Sequence, residues 1–380
     1  MDCVFGKTIF TGKSIVTEAY LIFNGRQIVG LSKSSKGQLL GKFDVLTPAF
    51  IDPHSHIGME RSGEPSGEGE ANDKLDSILA LADALDSVQM DDKAFRDCVE
   101  SGVLYSCVLP GSGNIVGGQS AVIRNYAKDS SGAFIGRAGL KAAFGYNPMS
   151  TQRWKGQRPT TRMGAIAILR GRLFEVRQKD RQFRKARGSK KEQITFTAED
   201  RVLQDLLSGK VRLRAHVHKI DDIAALLRLV DDFKLRITVE HAMDVHRPEI
   251  FQELQQRKIP VVYGPIDSFS YKVELKHEAW RNVRHLLSSG VEFGLMSDHP
   301  VTLARQLFLQ TRWFLRAGVS KQQAIELVCR KNAEILGIDK QVGTLAKGKW
   351  ASLVCWNGDP FDLASYPVEI YGEGELIYSE

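Results

Sequence analysis

Six residues with metal-binding side chains stand where apolar runs of the sequence end. They are His54, His56, His216, His218, His241 and Asp298. The first histidine pair follows the run 46–51, and the second pair follows the run 211–215. The spacing within each pair is i and i+2, which directs both side chains to one face of a strand. Neutral imidazoles combined with a carboxylate suit Zn²⁺ or Fe²⁺. These residues therefore predict a metal centre built at strand ends.

The elements that must position these residues alternate between short apolar runs and helical patterns. Strands are expected at residues 46–51, 103–109, 139–144, 211–215, 236–239, 259–263 and 291–296, and helices at residues 73–87, 94–101, 221–233, 248–257 and 279–289. Repeated β-then-α units favour a TIM (β/α)8 barrel, whose active sites lie at the C-terminal ends of its strands. A doubly wound α/β sheet is the alternative fold.

Both ends of the chain carry short β-rich stretches separated by turn signals. Residues 1–46 contain the hairpin signal Asn24-Gly25, and residues 339–380 contain several turn-forming glycines and a proline. Neither stretch is long enough to hold a core alone. We therefore expect the two segments to form one small β-sandwich domain beside a barrel domain that spans residues 47–338.

The positive charge of the chain is concentrated in one segment. The chain has 380 residues and a formal net charge of +7. Residues 153–191 hold 14 Lys and Arg against 2 Asp and Glu, so the rest of the chain is mildly acidic. We expect this basic insertion, at about residues 152–193, to be an exposed helix with a loop. A nucleic-acid-binding face is the alternative, but the segment lacks the aromatic interleaving of single-strand binding surfaces.

The cysteines and the apolar runs indicate the cellular compartment in which the protein is expected. The five cysteines are odd in number and no two have CxxC spacing, so a disulfide framework is not expected. The first ten residues carry no secretory signal pattern, and no apolar run approaches the roughly 18 residues of a membrane span. We expect a cytoplasmic protein that acts on a small molecule, without a membrane or nucleic-acid partner. A homo-oligomer is compatible with the sequence.

The order of the candidate ligands along the chain resembles that of the amidohydrolase superfamily. In that family the first barrel strand supplies HxH, the fifth and sixth strands each supply a histidine, and the eighth supplies an aspartate. Residues 46–56, 331–337 and 342–349 are also similar to motifs of the family. Residues 108–123 are similar to a segment of its imidazolonepropionase-like subgroup. The resemblance covers nearly the whole chain and implies a metal-dependent hydrolase on a TIM barrel with a terminal sandwich.

The resemblance also implies how many ions bind. The favoured arrangement is one ion, Zn²⁺ or Fe²⁺, held by His54, His56, His216 and Asp298. Members of the superfamily with two ions carry a carboxylated lysine or a glutamate on a middle strand. Lys141 lies in such a strand but near its predicted start, and Tyr146 stands where an acidic ligand could be expected. His241 and Lys141 are therefore expected to be ligands only if a second ion binds.

The implied reaction is hydrolysis of a carbon–nitrogen bond in an amide or cyclic amide, rather than in an ordinary peptide bond of a protein. Because a bound ion lowers the pKa of its water to about 7, Asp298 can act as general base and then as general acid toward the leaving nitrogen. His241 can polarise the carbonyl. Four residues are candidates for substrate binding: His218, Lys219, Arg162 and Lys272. A guanidinium or ammonium group among them suits an anionic substrate.

Two other functions stay open at this point. A dipeptidase or prolidase with two ions would use Lys141 as a bridge. A catalytically silent barrel that binds a metabolite is compatible with Tyr146 and with Lys219, which stands where some relatives have a catalytic glutamate. The three remaining histidines outside strand ends, His246, His277 and His285, are expected to be ordinary surface residues.

Overall fold

The computed structural model describes residues 1–149, 158–188, 193–266, 268, 270 and 272–380. Two sheets hold the strands of these residues. The terminal sheet consists of β1 (Asp2–Phe10), β2 (Ile15–Asn24), β3 (Gln27–Ser32), β4 (Gln38–Pro48), β13 (Leu353–Trp356), β14 (Pro367–Gly372) and β15 (Glu375–Ser379). The barrel sheet consists of β5 (Phe50–Ser55), β6 (Val103–Val108), β7 (Val116–Arg124), β8 (Phe134–Ala143), β9 (Leu213–Val217), β10 (Ile237–His241), β11 (Val261–Tyr263) and β12 (Phe293–Leu295).

The barrel sheet follows chain order and closes where the end of β5 meets the segment after β12. Ser55 forms a bridge with His299, and the Asp298 amide donates to the His54 carbonyl at 3.0 Å. The predicted α/β barrel with a separate terminal sheet is therefore confirmed. One strand departs from the parallel pattern, because β7 runs antiparallel to both β6 and β8. Residues 109–115, which join β6 to β7, are too few for a parallel crossover of about a dozen residues.

Helices cover the outside of the barrel. Those formed by the described residues are α1 (Lys93–Glu100), α2 (Ser130–Ala133), α3 (Arg162–Lys185), α4 (Ala198–Leu207), α5 (Ile220–Phe233), α6 (Pro248–Gln256), α7 (Val283–Ser289), α8 (Thr311–Arg316), α9 (Lys321–Val328) and α10 (Arg330–Leu336). Four of the predicted helices correspond to α1, α5, α6 and α7. None of the helices in the described ranges has the length and apolar character that crossing a bilayer demands.

The helix predicted at residues 73–87 is wrong, because only Ala84–Ser87 form a short 3-10 turn there. Asp73, Asp76 and Asp83 each accept a hydrogen bond from a backbone N–H one or two residues ahead. Such local side-chain bonds offer the backbone an alternative to helical hydrogen bonding. An amphipathic pattern rich in aspartate was therefore misread as a helix.

The basic segment supplies α3, which lies in the crossover from β8 to β9. Its buried residues recur every three or four positions and form a helical stripe: Ala165, Leu169, Leu173 and Val176. Its charged side chains pair with acidic residues of the neighbouring helices, among them Arg162 with Asp222, and Arg172 and Lys179 with Asp200. Residues 152–157 and 189–192 of the predicted insertion lie outside the described residues.

The terminal sheet joins strands from both ends of the chain. β4 pairs in parallel with β1 and antiparallel with β13, which places Pro48 opposite Leu353. The sheet has a buried cluster of its own that includes Phe23 and Leu46. β4 ends at Pro48 and β5 begins at Phe50. The terminal sheet therefore leads directly into the barrel strand that carries His54.

Candidate metal centre

The six predicted ligands lie at the C-terminal end of the barrel, the usual place for a site in this architecture. The strands β5, β9, β10 and β12 carry them or lead directly into them: His54, His56, His216, His218, His241 and Asp298. The five histidines are buried, whereas the Asp298 side chain is 13% exposed. The ligand atoms fall into two groups, which adjoin where the ring centroids of His54 and His241 lie 4.9 Å apart.

The first group consists of His54, His56 and Asp298, whose ligand atoms lie within 4.8 Å of one another. Asp298 Oδ1 is 3.4 Å from His54 Nε2 and 3.2 Å from His56 Nε2. The His56 Nδ1 atom donates to the Leu109 carbonyl at 2.8 Å. Since a carbonyl oxygen can only accept, this contact fixes the proton on Nδ1 and leaves the Nε2 lone pair for an ion.

The second group consists of His216, His218 and His241. The ring centroid of His241 lies 4.3 Å from that of His216 and 4.7 Å from that of His218. His241 Nδ1 donates to the Gly264 carbonyl at 3.0 Å. His241 Nε2, His216 Nδ1 and both nitrogens of His218 are buried without a hydrogen-bond partner among the described residues. Buried polar atoms are rarely left unpaired, so this group fits a metal ion.

Lys141 lies where the two groups adjoin. Its Nζ is 3.2 Å from His54 Nε2, and the residue is fully buried. The expectation that Lys141 stands near the start of its strand is wrong, because β8 ends at Ala143, two residues later. The grouping also differs from the single-ion set favoured by the sequence, since His216 lies with His241 and not with His54.

The buried ion pair of Glu240 and Arg214 orients His54 through a hydrogen bond. His54 Nδ1 donates to Glu240 Oε2 at 2.9 Å. Arg214 binds both carboxylate oxygens of Glu240 at 2.9 Å, and Thr238 donates to the same carboxylate. The sequence analysis missed these residues. Glu240 and Arg214 could have been noticed as charged residues within two mostly apolar strands. Glu240 stands one residue before His241, and Arg214 stands two residues before His216.

The backbone is strained at two of the candidate ligands. His241 has φ of 77° and Asp298 has φ of 53°, both in the left-handed region that favours glycine. Such conformations cost about 1–3 kcal/mol each and persist where the surroundings hold them. Hydrogen bonds from the Asp298 amide to His54 and from the Ala242 amide to Val217 supply part of that support. The strain aims both side chains from strand ends toward the barrel axis.

Burial sets the protonation of the centre. It lowers the pKa of His54, His216 and His218 well below the ordinary value, and that of His241 to about 4. It also lowers the pKa of Lys141 to about 8. Burial alone would raise the pKa of the Asp298 carboxyl, but the neighbouring imidazoles hold it well below its usual range. At neutral pH the centre therefore offers neutral imidazoles and an ionised carboxylate, the forms that bind cations.

Of the candidate substrate-binding residues, Lys272 lies beside the second group. Its side chain is 8% exposed and its Nζ is 3.1 Å from Glu274 Oε2. It donates to Asn147 Oδ1 at 3.2 Å, and Asn147 Nδ2 lies 3.3 Å from His216 Nε2. The ammonium charge of Lys272 contributes to the lowered pKa of His216 and His218. Lys272 thus stands at the edge of the centre, already paired with one carboxylate.

The other candidates are placed differently. His218 belongs to the second group itself. Arg162 starts α3, is about half exposed and binds Asp222 at 2.7 Å. Lys219 lies 3.7 Å from Asp244 Oδ2, and the Tyr146 side chain is exposed. Arg162, Lys219 and Tyr146 make none of the described contacts with the two ligand groups.

A model of the amidohydrolase family matches residues 188–375 of the chain. Amidohydrolase tasK of Hapsidospora irregularis is 27% identical over 362 residues, which cover 88% of this chain and 36% of that protein. The chain therefore spans about a third of the length of this curated relative. A crystal structure of an amidohydrolase from Thermotoga maritima MSB8 is 28% identical, covers 100% of both chains and has a TM-score of 0.93.

More distant solved structures share the fold. A prolidase complexed with N-methylphosphonate-L-proline is 15% identical, with a TM-score of 0.62 over 100% of both chains. A Xaa-Pro dipeptidase with bound methionine is 14% identical, with a TM-score of 0.61 over 100% of both chains. At these identities the likeness concerns the architecture alone.

Proposed function

We propose that the chain is a member of the amidohydrolase superfamily, to which its matches point, and that it is a metal-dependent hydrolase that cleaves a carbon–nitrogen bond of an amide or cyclic amide. The observation that carries this proposal is the convergence of buried, neutral imidazoles and one ionised carboxylate at the C-terminal end of the barrel. Several of these nitrogens have no hydrogen-bond partner among the described residues. A purely structural cluster would instead satisfy its buried polar atoms.

Two ions fit the residues better than the single ion expected from the sequence. His54, His56 and Asp298 would hold the first, and His216 and His241 would hold the second. Lys141 would bridge them as a carboxylated lysine, which requires a neutral amine, and the lowered pKa of Lys141 eases its deprotonation. The imidazole-rich ligand set suits Zn²⁺, with Fe²⁺ as the alternative.

When bound, such ions act as Lewis acids and lower the pKa of a coordinated water to about 7. Asp298 remains ionised at neutral pH and, in this proposal, would accept a proton from water and return it to the leaving nitrogen. For His241 we propose the role of a ligand instead of the carbonyl-polarising role. Its Nδ1 donates to Gly264, so the neutral ring would offer a lone pair at Nε2 to an ion.

The substrate proposed here is a small molecule that reaches the centre beside Lys272. The Lys272 ammonium would contact a carboxylate of an anionic substrate, and His218 would contact the same molecule from the second group. Arg162 and Lys219 would act farther from the reacting bond. A cytoplasmic location remains part of this proposal.

A dipeptidase or prolidase activity is the second candidate, supported by one specific observation. Lys141 lies 3.2 Å from His54 Nε2, and in this proposal it would act as a ligand shared by two ions. Two structures that share the fold are named as a prolidase and a Xaa-Pro dipeptidase. A dipeptide and a cyclic amide both present a carbonyl–nitrogen bond, so only turnover distinguishes them.

The decisive experiment is a metal count per chain, followed by a screen of cyclic amides, N-acyl amino acids and dipeptides. After dialysis against metal-free buffer, which removes loosely held ions, we expect two equivalents of zinc in the unaltered protein and one or fewer in Lys141→Met. Lys141→Glu keeps a carboxylate near the bridge and should retain more zinc than Lys141→Met. One equivalent in all three proteins would contradict the two-ion arrangement, and the absence of turnover across the screen would contradict the hydrolase proposal.

A further inference from the structure

We infer that Asp244, His246 and His277 form a separate site for a divalent transition-metal ion on the rim of the barrel. Each residue offers a ligand atom within 4.8 Å of the other two. Asp244 and His246 follow β10, whereas His277 belongs to the segment after β11. Both histidines were expected to be ordinary surface residues, and the fold brings them together from two different loops.

The carboxylate of Asp244 needs a positive partner. Its side chain is only 2% exposed, and a buried ionised carboxylate is stable only when it is paired and hydrogen-bonded. The backbone amide of His277 donates to Oδ1 at 2.5 Å. Lys219 Nζ lies 3.7 Å from Oδ2, beyond the roughly 2.7–2.9 Å of a charge-assisted hydrogen bond. Lys219 therefore compensates the charge only in part. Oδ2 also contacts His277 Nδ1 at 3.3 Å, and a cation could bind both atoms once that nitrogen is deprotonated.

The two imidazoles are presented as ligands. His246 Nδ1 donates to the Asp244 carbonyl at 2.9 Å, which leaves the lone pair on its Nε2. His277 Nδ1 lies 3.3 Å from Asp244 Oδ2. Two ligands of a tetrahedral zinc ion at about 2.0–2.1 Å are separated by about the same distance. The ring centroids of the two histidines are 4.1 Å apart.

The ligand types select the ion. Two imidazoles and one carboxylate favour Zn²⁺, Co²⁺, Ni²⁺ or Cu²⁺ over Mg²⁺ and Ca²⁺, which prefer oxygen ligands. The His277 side chain is 41% exposed, so an ion can enter from solvent and water can complete its coordination. This site is distinct from the candidate metal centre, whose ligands are buried at the strand ends.

An ion at this rim site would tether two loops beside the centre. The Asp244 amide donates to the His218 carbonyl at 3.3 Å, and Asn282 donates to the His277 carbonyl at 2.9 Å. One loop therefore continues into the second ligand group and the other into α7. Occupancy of the rim site would hold both loops in place at the entrance to the centre.

Zinc titration tests this inference on the full chain. After equilibration with micromolar Zn²⁺, we expect the unaltered protein to hold one more equivalent than His246→Gln/His277→Gln. His285→Gln, which alters a histidine of α7 outside the site, should match the unaltered protein. Equal zinc content in the double variant and the unaltered protein, with both folded by circular dichroism, would overturn the rim site.

A second measurement tests the rim site independently of the candidate metal centre. In the His54→Ala/His56→Ala background, adding His277→Gln should still weaken binding of one Zn²⁺ by at least about tenfold. An unchanged affinity for Zn²⁺ on adding His277→Gln would overturn the rim site, even if His246→Gln/His277→Gln proved unstable. If instead His54→Ala/His56→Ala kept its full zinc content while the rim variants lost an equivalent, the proposed centre would fail and the rim site would stand.

Discussion

The two ligand groups of the candidate centre differ in how the protein holds them. In the first group, the His54 and His56 rings each donate from Nδ1, to Glu240 and to the Leu109 carbonyl. In the second group, His241 donates from Nδ1 to Gly264 and His216 Nε2 accepts from Asn147 at 3.3 Å, whereas both nitrogens of His218 lack a partner among the described residues. The protein therefore fixes the ring orientation of the first group, whereas the second group depends more on what it binds.

This difference suggests an order of binding. Ligands held by outer hydrogen bonds need little reorganisation, and such partners typically strengthen metal binding 10- to 100-fold. We therefore expect the first group to bind its ion more tightly. The second group would follow, once an ion and Lys141 are available to it.

The largest expected effect comes from removing two ligands of the tightly held group. His54→Ala/His56→Ala should lose at least one equivalent of metal, and turnover of any substrate found in the screen should fall to background. Elemental analysis and a hydrolysis assay measure the two quantities. Full metal content in the double variant would refute the ligand assignment.

A large effect is also expected from the residue that orients His54. Glu240→Gln leaves Arg214 without its buried counter-ion, and breaking a buried pair on one side costs about 3–5 kcal/mol of unfolding free energy. Metal affinity should fall about 10- to 100-fold as well. Glu253→Gln is the matched control, because Glu253 forms a surface pair with Arg257 and such pairs contribute about 0–1 kcal/mol. Urea unfolding that gave equal losses for both variants would contradict the role of Glu240.

Acid should destabilise the metal-free protein through the second group. The pKa of His241 falls from 6.5 to about 4 on burial, so between these values the unfolded state binds more protons than the folded state. Stability is therefore full above pH 6.5 and declines as the pH falls toward 4, by about 3 kcal/mol for this residue. Urea unfolding of the metal-free protein at several pH values measures the decline. His241→Gln should show a shallower decline, and an identical one would contradict this origin.

Metal removal should affect the two groups unequally. At an ion concentration 100 times the Kd, bound metal stabilises the fold by about 2.7 kcal/mol, and a chelator should remove that increment. Hydrogen exchange should then rise mainly around the second group, near residues 145–147 and 242–245. A uniform rise that included residues 54–59 equally would remove the proposed distinction between the groups.

The smallest effect is expected at Arg162. Its half-exposed pair with Asp222 contributes about 0–1 kcal/mol, and Arg162→Gln should leave KM unchanged. Lys272→Gln, at the edge of the second group, should raise KM for an anionic substrate while changing KM for a neutral analogue little. Steady-state kinetics with both substrates measure this contrast, and equal KM changes for the two variants would show that Lys272 has no special role.

The sequence alone was sufficient for the features that depend on local spacing. The i, i+2 histidine pairs at the ends of apolar runs predicted the centre, because a strand places both side chains on one face. The α/β barrel followed from the alternation of strands and helices. These signals depend only on residues that are close together in the sequence, so they can be recognised without a three-dimensional structure.

Features that depend on distant partners were missed or misplaced. The position of Lys141 depends on where β8 ends, and strand boundaries are poorly marked by sequence. Glu240 and Arg214 are charged residues that form an ion pair across neighbouring strands, and no local sequence pattern reports that pairing. The reversal of β7 likewise depends on the short connection that precedes it.

The pairing of β4 with β13 has a consequence for how the chain folds during synthesis. Residues 45–48 bond with residues 353–356, a separation that spans the whole barrel. One edge of β4 must therefore stay uncovered until the barrel residues have been made, and contacts of such long range form slowly. Unpaired strand edges are prone to aggregate in incomplete chains. The interval between synthesis of β4 and of β13 is thus the stage at which a chaperone would help this protein most.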